Sequence, residues 1–125
     1  MCGILGICLD KRERTDADYI EIAMKFAQMW EASMVRGTDA DGVYIVNRTA
    51  GITYIKAPVP SDKMIRDDKF GFWELMRDHL GPDTVGIIGH TRAATTGTPN
   101  VNANNHPVVD APILGVHNGV ILNHR

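Results

Sequence analysis

The chain has 125 residues, which is enough for one domain at most, with a core of its own. Its apolar share of 44% is ordinary for a globular protein, and 13 basic against 15 acidic residues give a net charge of −2. Because these charges are few and well mixed, the composition argues against a nucleic-acid or membrane partner.

The two cysteines, Cys2 and Cys8, bear on the compartment. On one extended strand they would share a face but lie roughly 20 Å apart, which is beyond the reach of a disulfide. That spacing favours a reducing environment. The apolar N-terminus is too short for a signal-peptide core and no transmembrane run is visible, so we expect a cytoplasmic location.

Residues 1–9 are apolar and punctuated by glycine, which predicts a short buried strand. Cys2 directly follows the initiator methionine. Because cysteine is small, an aminopeptidase is expected to remove Met1 and leave a cysteine with a free α-amino group. An α-amine titrates near ~7.7–8.0 and a thiol near ~8.5, so the amine can accept the thiol proton. Cys2 could then be nucleophile and base at once; the alternative is an ordinary core-strand residue.

Apolar residues at spacings of three and four predict an amphipathic helix over residues 16–34, starting after Thr15. A glycine-bounded loop is expected up to residue 42. Residues 43–47 and 52–56 then predict two strands of a hairpin.

Residues 57–68 contain two prolines and mixed charges, which indicates a surface connection. A second, shorter helix is predicted from Phe70 to about His79, and a buried strand over residues 85–91 runs into Arg92. The polar stretch 93–107 is long for a loop in a small domain, and such loops are usually functional or disordered.

Residues 113–117 predict a last strand, followed by Asn118-Gly119 and the run 120–125. Taken alone, an Asn-Gly dipeptide is the strongest short signal for a hairpin turn, so a purely structural role is open here. Cys8 is expected to be a buried core thiol. The histidines show no close paired spacing, so no metal site is expected.

Five stretches, in matching order and approximate spacing, resemble the class II glutamine amidotransferases, whose glutaminase domain belongs to the N-terminal-nucleophile (Ntn) hydrolases. They are residues 1–4, 36–42, 89–97, 102–107 and 117–124. The fourth carries what looks like an insertion relative to the usual Asn-Ala-His-Pro. Each motif is weak alone, but together they cover nearly the whole chain. The arrangement is most similar to the sugar-phosphate amidotransferase type.

The resemblance implies that the substrate is L-glutamine and that no cofactor is needed. Cys2 resembles the family's nucleophile, with its own α-amine as base and later acid. The side chain of Asn118 and the backbone N–H of Gly119 resemble the oxyanion hole. Arg92 resembles the residue that binds the substrate α-carboxylate, a task suited to a planar bidentate donor.

Further roles follow from the same resemblance. Residues 93–97, with Thr95, resemble a lid that closes over bound glutamine, and His106 is expected among the substrate-binding residues. Three residues are expected to support the nucleophile without reacting: Arg36, Gly37 and Asp39. Ala93 and Thr96 stand where the sugar-phosphate type commonly has tryptophan and histidine, so lid closure is expected to differ.

The implied fold is α+β, an Ntn-type αββα sandwich with two antiparallel sheets between helical layers. Residues 1–125 would form one glutaminase domain, incomplete relative to the family, because that domain is usually near twice this size. No synthase domain is expected within this sequence, and the family's acid for the substrate α-ammonium would lie beyond Arg125. The chain therefore looks like an interrupted domain that needs an acceptor or synthase protein, or an oligomer partner.

The function predicted from the sequence is hydrolysis of the glutamine side-chain amide through a thioester on Cys2, releasing ammonia for an acceptor. A first alternative is a non-catalytic glutamine-binding or assembly module, which keeps Met1 or lacks the ammonium-binding acid. A second is a related amidase for another amide. Arg92 speaks against that second alternative, because α-carboxylate recognition implies an amino-acid substrate.

Overall fold

A computed structural model describes residues 1–120. Within this range the chain forms six strands and three α-helices. In chain order they are β1 (Gly3–Cys8), α1 (Asp16–Ala32), β2 (Ala40–Asn47), β3 (Gly51–Ala57), α2 (Ser61–Arg66), α3 (Phe72–His79), β4 (Thr84–Arg92), β5 (Val108–Asp110) and β6 (Ile113–Gly115).

The main sheet has the strand order β1-β4-β2-β3, and every pair in it is antiparallel. Thr91, near the end of β4, lies between Gly3 of β1 and Asp41 of β2. The start of β1, the start of β2 and the end of β4 therefore lie side by side at the same end of the sheet. This register places Cys2 beside Arg92, although the two are far apart in sequence.

The three helices supply the apolar core on one face of this sheet. Phe26 and Trp30 of α1 pack with Phe72 of α3, with ring centroids 5.6 to 6.4 Å apart. Gly89 lets α1 approach the sheet, since a Cβ there would lie 2.9 Å from the Phe26 ring. The sheet contributes buried β-branched residues to this core: Val43, Ile45 and Ile87.

The predicted burial of the first strand is wrong. β1 lies at the edge of the sheet and the helices cover one face only, so its side chains alternate between partial burial and exposure. Ile4 is 48% exposed, and Cys8, expected in the core, is exposed on the same face. Both cysteines are free thiols.

The predicted amphipathic helix is confirmed as α1. Thr15 caps its first turn, with Asp18 completing a capping box, and the helix ends at Ala32 before a 3₁₀ turn at Ser33–Arg36. The hairpin prediction is also confirmed, but β2 begins at Ala40, inside the predicted loop. The predicted second helix and the strand leading to Arg92 correspond to α3 and β4.

The prediction of a surface connection over residues 57–68 is wrong, because α2 forms there. Pro60 occupies its N-cap, and Met64 is buried in the core. Residues 93–107 contain one 3₁₀ turn, at Asn102–Asn104, and are otherwise irregular. The predicted strand 113–117 is shorter and pairs with β5 in a hairpin.

The structure is thus of α+β type, with one four-stranded and one two-stranded antiparallel sheet in residues 1–120. The αββα sandwich stays a prediction. The predicted final run 120–125 falls, apart from Val120, outside the described residues. None of the helices found in the described range is long and apolar enough to span a membrane.

Candidate active site

A cavity of about 190 Å³ lies where the start of β1 meets the end of β4, on the face of the sheet away from the helices. This volume is below the usual range for drug-sized ligands and suits a small molecule. Five of the residues predicted from the sequence line it: Cys2, Arg92, Thr95, His106 and Gly119.

Cys2 is half-buried, lines this cavity and contacts two other segments of the chain. Its Sγ lies 3.6 Å from the carbonyl oxygen of Ala93. Its backbone carbonyl accepts a hydrogen bond from Nδ2 of Asn118 at 2.8 Å. Met1, which precedes it, is 80% exposed. The nucleophile candidate is therefore held between two distant segments, and the residue before it is open to solvent.

Asn118 and Gly119 reach Cys2 from the irregular segment that follows β6. One N–H of the Asn118 amide is used in the bond to Cys2, which leaves a second N–H on Nδ2. Gly119 has a φ of +136°, a backbone conformation that favours glycine, and it lines the cavity. The pair thus offers amide donors beside the thiol.

The Arg92 side chain is buried and its guanidinium holds the loop around the cavity. Nη1 donates to Oδ1 of Asn105 at 2.6 Å. Nη2 donates to the carbonyl oxygens of Thr96 and Gly97, both at 2.7 Å. Because both donors of Nη2 are engaged, a ligand carboxylate would have to displace these two carbonyls to bind there.

Gly37 and Asp39 contact the backbone that follows Arg92. A Cβ at Gly37 would overlap the backbone of Arg92 and Ala93, so only glycine allows this approach. The Asp39 carboxylate accepts the N–H of Ala94 at 2.7 Å, and its own N–H donates to the Arg92 carbonyl at 3.0 Å.

Arg36, the third predicted supporting residue, is exposed. Within residues 1–120 its side chain makes no hydrogen bond or ion pair, and its stem packs beside Gly3. Any support from Arg36 in this structure is therefore by packing. Thr95 is exposed at the cavity mouth.

Three histidine rings cluster at the cavity, in tilted and edge-to-face contacts. The ring of His106 lies 4.0 Å from that of His90 and 4.8 Å from that of His117. A ring nitrogen of His90 hydrogen-bonds the His117 carbonyl at 3.1 Å. Burial lowers the pKa of His90 to about 4 and that of His106 to about 3, so both rings are neutral near pH 7. The hydrogen bond between the His90 ring and the His117 carbonyl holds the segment that carries Asn118.

Sequence reasoning assigned no role to His90, Lys56 or Asn105, which build the wall behind Arg92. Lys56 Nζ donates to the carbonyl oxygens of Asn105 and Pro107 at 2.9 and 2.8 Å. The buried Asn105 amide donates to the Pro99 carbonyl at 2.8 Å. The one available signal was the apparent insertion in residues 102–107, which contains Asn105.

In the part of the chain that the structure describes, no group of three or more histidine, cysteine, aspartate or glutamate side chains is arranged to hold a metal ion. Over the same residues, no carboxylate lines the cavity. The cavity wall combines the aliphatic side chains of Ala93, Val108 and Val120 with a thiol, amide groups, imidazoles, threonine hydroxyls and the Arg92 guanidinium. Such a set suits nucleophilic attack on a carbonyl and binding of an anion.

No family model matches this chain. The curated relatives of this chain include proteins named glutamine–fructose-6-phosphate aminotransferase [isomerizing]. The Streptococcus pyogenes protein is 33% identical over 99% of this chain and 17% of its own length. The Streptococcus mutans protein is 35% identical over 99% of this chain and 18% of its own length. The Sulfolobus acidocaldarius protein is 32% identical over 100% of this chain and 19% of its own length.

The chain is therefore homologous along its whole length to a portion of these aminotransferases, and it spans less than a fifth of their length. Among solved structures, a complex of the beta-clamp processivity factor and the little finger domain of PolIV matches with a TM-score of 0.49 and 11% identity. That match covers 78% of this chain and 93% of the other. At this level the likeness bears on neither fold nor function.

Proposed function

We propose that this chain carries the glutaminase half-reaction of a class II glutamine amidotransferase. It hydrolyses the side-chain amide of L-glutamine through a thioester on Cys2 and releases ammonia for an acceptor. The observation that carries the proposal is the convergence of Cys2, Arg92 and Gly119 on one small cavity from three distant parts of the chain. Asn118, next to Gly119, donates to the backbone carbonyl of Cys2. The names of the relatives, which include glutamine, support the same substrate.

In this proposal the exposed Met1 is removed first, which frees the α-amine of Cys2. The amine takes the thiol proton, and the thiolate attacks the side-chain carbonyl carbon of glutamine. The second N–H of the Asn118 amide and the N–H of Gly119 stabilise the resulting oxyanion, where one such donor lowers a barrier by about 2.7–4 kcal/mol.

The protonated α-amine then gives its proton to the leaving nitrogen, so ammonia departs and a γ-glutamyl thioester remains on Cys2. Water, deprotonated by the same amine, attacks the thioester and releases glutamate with the thiol restored. With pKa values lowered to about 4 and about 3, His90 and His106 are not imidazolium ions near pH 7 and are weak bases, so the proton transfers are assigned to the α-amine.

Arg92 binds the substrate α-carboxylate in this proposal, by exchanging the carbonyls of Thr96 and Gly97 for the two carboxylate oxygens. This exchange releases residues 93–97 from the guanidinium, so substrate binding and lid position are coupled. The partner of the substrate α-ammonium and the ammonia acceptor belong to other residues or to another chain. The Ntn-type fold and a cytoplasmic location are part of the same proposal.

The test is release of glutamate and ammonia from L-glutamine by protein whose N-terminus is shown to be Cys2. We expect turnover that is lost in Cys2→Ala and is far slower with L-asparagine, whose amide is one methylene closer to the carboxylate. Equal turnover by Cys2→Ala, or none by the processed protein, would contradict the proposal.

A second candidate is a glutamine-binding module without turnover. The chain would have this role if Met1 were retained, because Cys2 would then lack a free α-amine. Protein that keeps Met1 in its native source and binds glutamine without hydrolysing it would establish this candidate.

A further inference from the structure

Asp41 is a buried carboxylate that the mechanism above does not use. It lies on β2 with 0% exposure, and its side chain is on the helix-covered side of the sheet, opposite the cavity. One carboxylate oxygen accepts the backbone N–H of Ser61 at 2.6 Å. The other accepts the backbone N–H of Arg92 at 3.1 Å.

These two bonds tie the end of β4 to the first turn of α2. The Arg92 carbonyl is also held, by the N–H of Asp39 at 3.0 Å. The peptide groups on both sides of the Arg92 Cα are thus fixed by the start of β2. Because the direction of a Cα–Cβ bond follows from its backbone, these contacts determine where the Arg92 side chain enters the cavity.

We infer that Asp41 is a positioning residue for substrate binding: by accepting the N–H of Arg92, its carboxylate aims the Arg92 guanidinium at the substrate α-carboxylate. This inference rests on the proposed function, which gives Arg92 that task. It assigns a functional role to a residue on the far face of the sheet, outside the cavity.

The ionised form of Asp41 fits this task, since two N–H groups arrive at two different oxygens and a protonated carboxyl group can accept well at only one. Burial raises the pKa of Asp41 to about 7, although both backbone N–H donors favour the anion, and the negative charge of Asp62 on α2 adds to the increase. The cross-strand neighbours, Thr91 and Ala57, do not titrate. Protonation near neutral pH should therefore release one of the two N–H groups.

The first measurement needs no ligand. We expect the backbone amide NMR signals of Arg92 and Ser61 to shift with pH, with a midpoint near 7, in the unsubstituted protein. In Asp41→Asn this transition should disappear. Amide signals of Arg92 and Ser61 that do not move between pH 5 and 9 would overturn the inference.

The second measurement is the affinity for L-glutamine by calorimetry in the Cys2→Ala protein, which removes turnover. Adding Asp41→Asn should weaken binding about tenfold at pH 8, as expected for the loss of a hydrogen bond to a charged acceptor. Without that substitution, binding should weaken as the pH falls from 8 to 6. The matched control is Asp83→Asn, because Asp83 also accepts two backbone N–H groups, from Thr49 and Ala50, but is remote from the cavity. It should leave affinity unchanged.

The outcomes separate this inference from the proposed function. Glutamine binding that is independent of pH and of Asp41→Asn overturns the inference and leaves the glutamine site standing. Amide signals that titrate as expected, with no glutamine binding at any pH, overturn the proposed function and leave the Asp41 contact standing. If Asp41→Asn does not fold, the backbone amide signal of Ser61 in the unsubstituted protein decides, because Ser61 lies on α2 against Asp41 and does not line the cavity, and a Ser61 signal that does not titrate overturns the inference.

Discussion

At the scale of single residues, Gly37 shows how a missing side chain positions the candidate site. The 3₁₀ turn before it brings its Cα against the backbone of Arg92 and Ala93, where a methyl group has no room. Both neighbours belong to the segment that forms the cavity wall. The close approach of this turn to the cavity wall therefore depends on the absence of a Cβ at Gly37.

We predict that Gly37→Ala destabilises the protein by about 1–3 kcal/mol, the usual cost of overpacking, because the backbone at Arg92 and Ala93 must move. Urea unfolding measures this change. Gly81→Ala is the matched control, since a Cβ there meets nothing within 4 Å and its φ is not positive. Equal midpoints for the two variants would contradict the described contact.

The buried titratable groups predict a pH dependence of stability with two opposing parts. His90 and His106 stay neutral in the folded state down to pH about 4 and 3, whereas the unfolded chain protonates them near pH ~6.5. Their contribution to stability is therefore lost as the pH falls below ~6.5. Asp41 has the opposite sign: its folded-state pKa of about 7 exceeds the unfolded value of ~3.9, so stability is gained as the pH falls from 7 to 4.

The Asp41→Asn substitution removes the contribution of Asp41 to this pH dependence and leaves that of the two histidines. We predict that its free energy of unfolding falls more steeply than that of the unsubstituted protein between pH 7 and 4, by up to about 1.4 kcal/mol per pH unit. Urea titrations at one-unit steps of pH measure both curves. Parallel curves would show that Asp41 does not hold a proton in the folded state over this range.

At the scale of elements, α2 connects the core to the candidate site. Met64 fixes it in the core, and its first residue, Ser61, shares the Asp41 carboxylate with Arg92. We predict that Met64→Ala costs about 2–5 kcal/mol of unfolding free energy, as other buried methionines do. Met24→Ala, on the exposed side of α1, should change it by less than about 0.5 kcal/mol. A similar small change for both would mean that α2 does not pack as described.

Elements whose signal is local could be predicted from the sequence, and elements set by packing could not. The apolar period and the Thr15 cap are sufficient to predict α1, and alternation with a short connection predicts the β2–β3 hairpin. By contrast, α2 has six residues and follows two prolines, so its pattern resembles a loop until Met64 is seen in the core. The burial of β1 depends on its place in the sheet, which an apolar run does not encode.

At the scale of the whole molecule, the cavity is assembled from parts that are far apart in sequence. The resemblance of the motifs to a known family indicated five residues that line this one cavity: Cys2, Arg92, Thr95, His106 and Gly119. Lys56 could not be predicted, because a lysine on a strand shows no sign of the loop carbonyls that it will meet. The role of Asp41 could not be predicted for the same reason, because its partners are backbone groups brought close by tertiary structure.

The central claim, that this cavity holds a working N-terminal nucleophile, is tested most directly by intact mass. The protein is weighed before and after treatment with a diazoketone analogue of glutamine, which alkylates a reactive thiol with loss of nitrogen. We predict a starting mass that lacks Met1 and a single adduct, absent in Cys2→Ala and prevented by excess glutamine. A retained Met1 with no adduct, or an adduct that forms equally on Cys2→Ala, would contradict the claim.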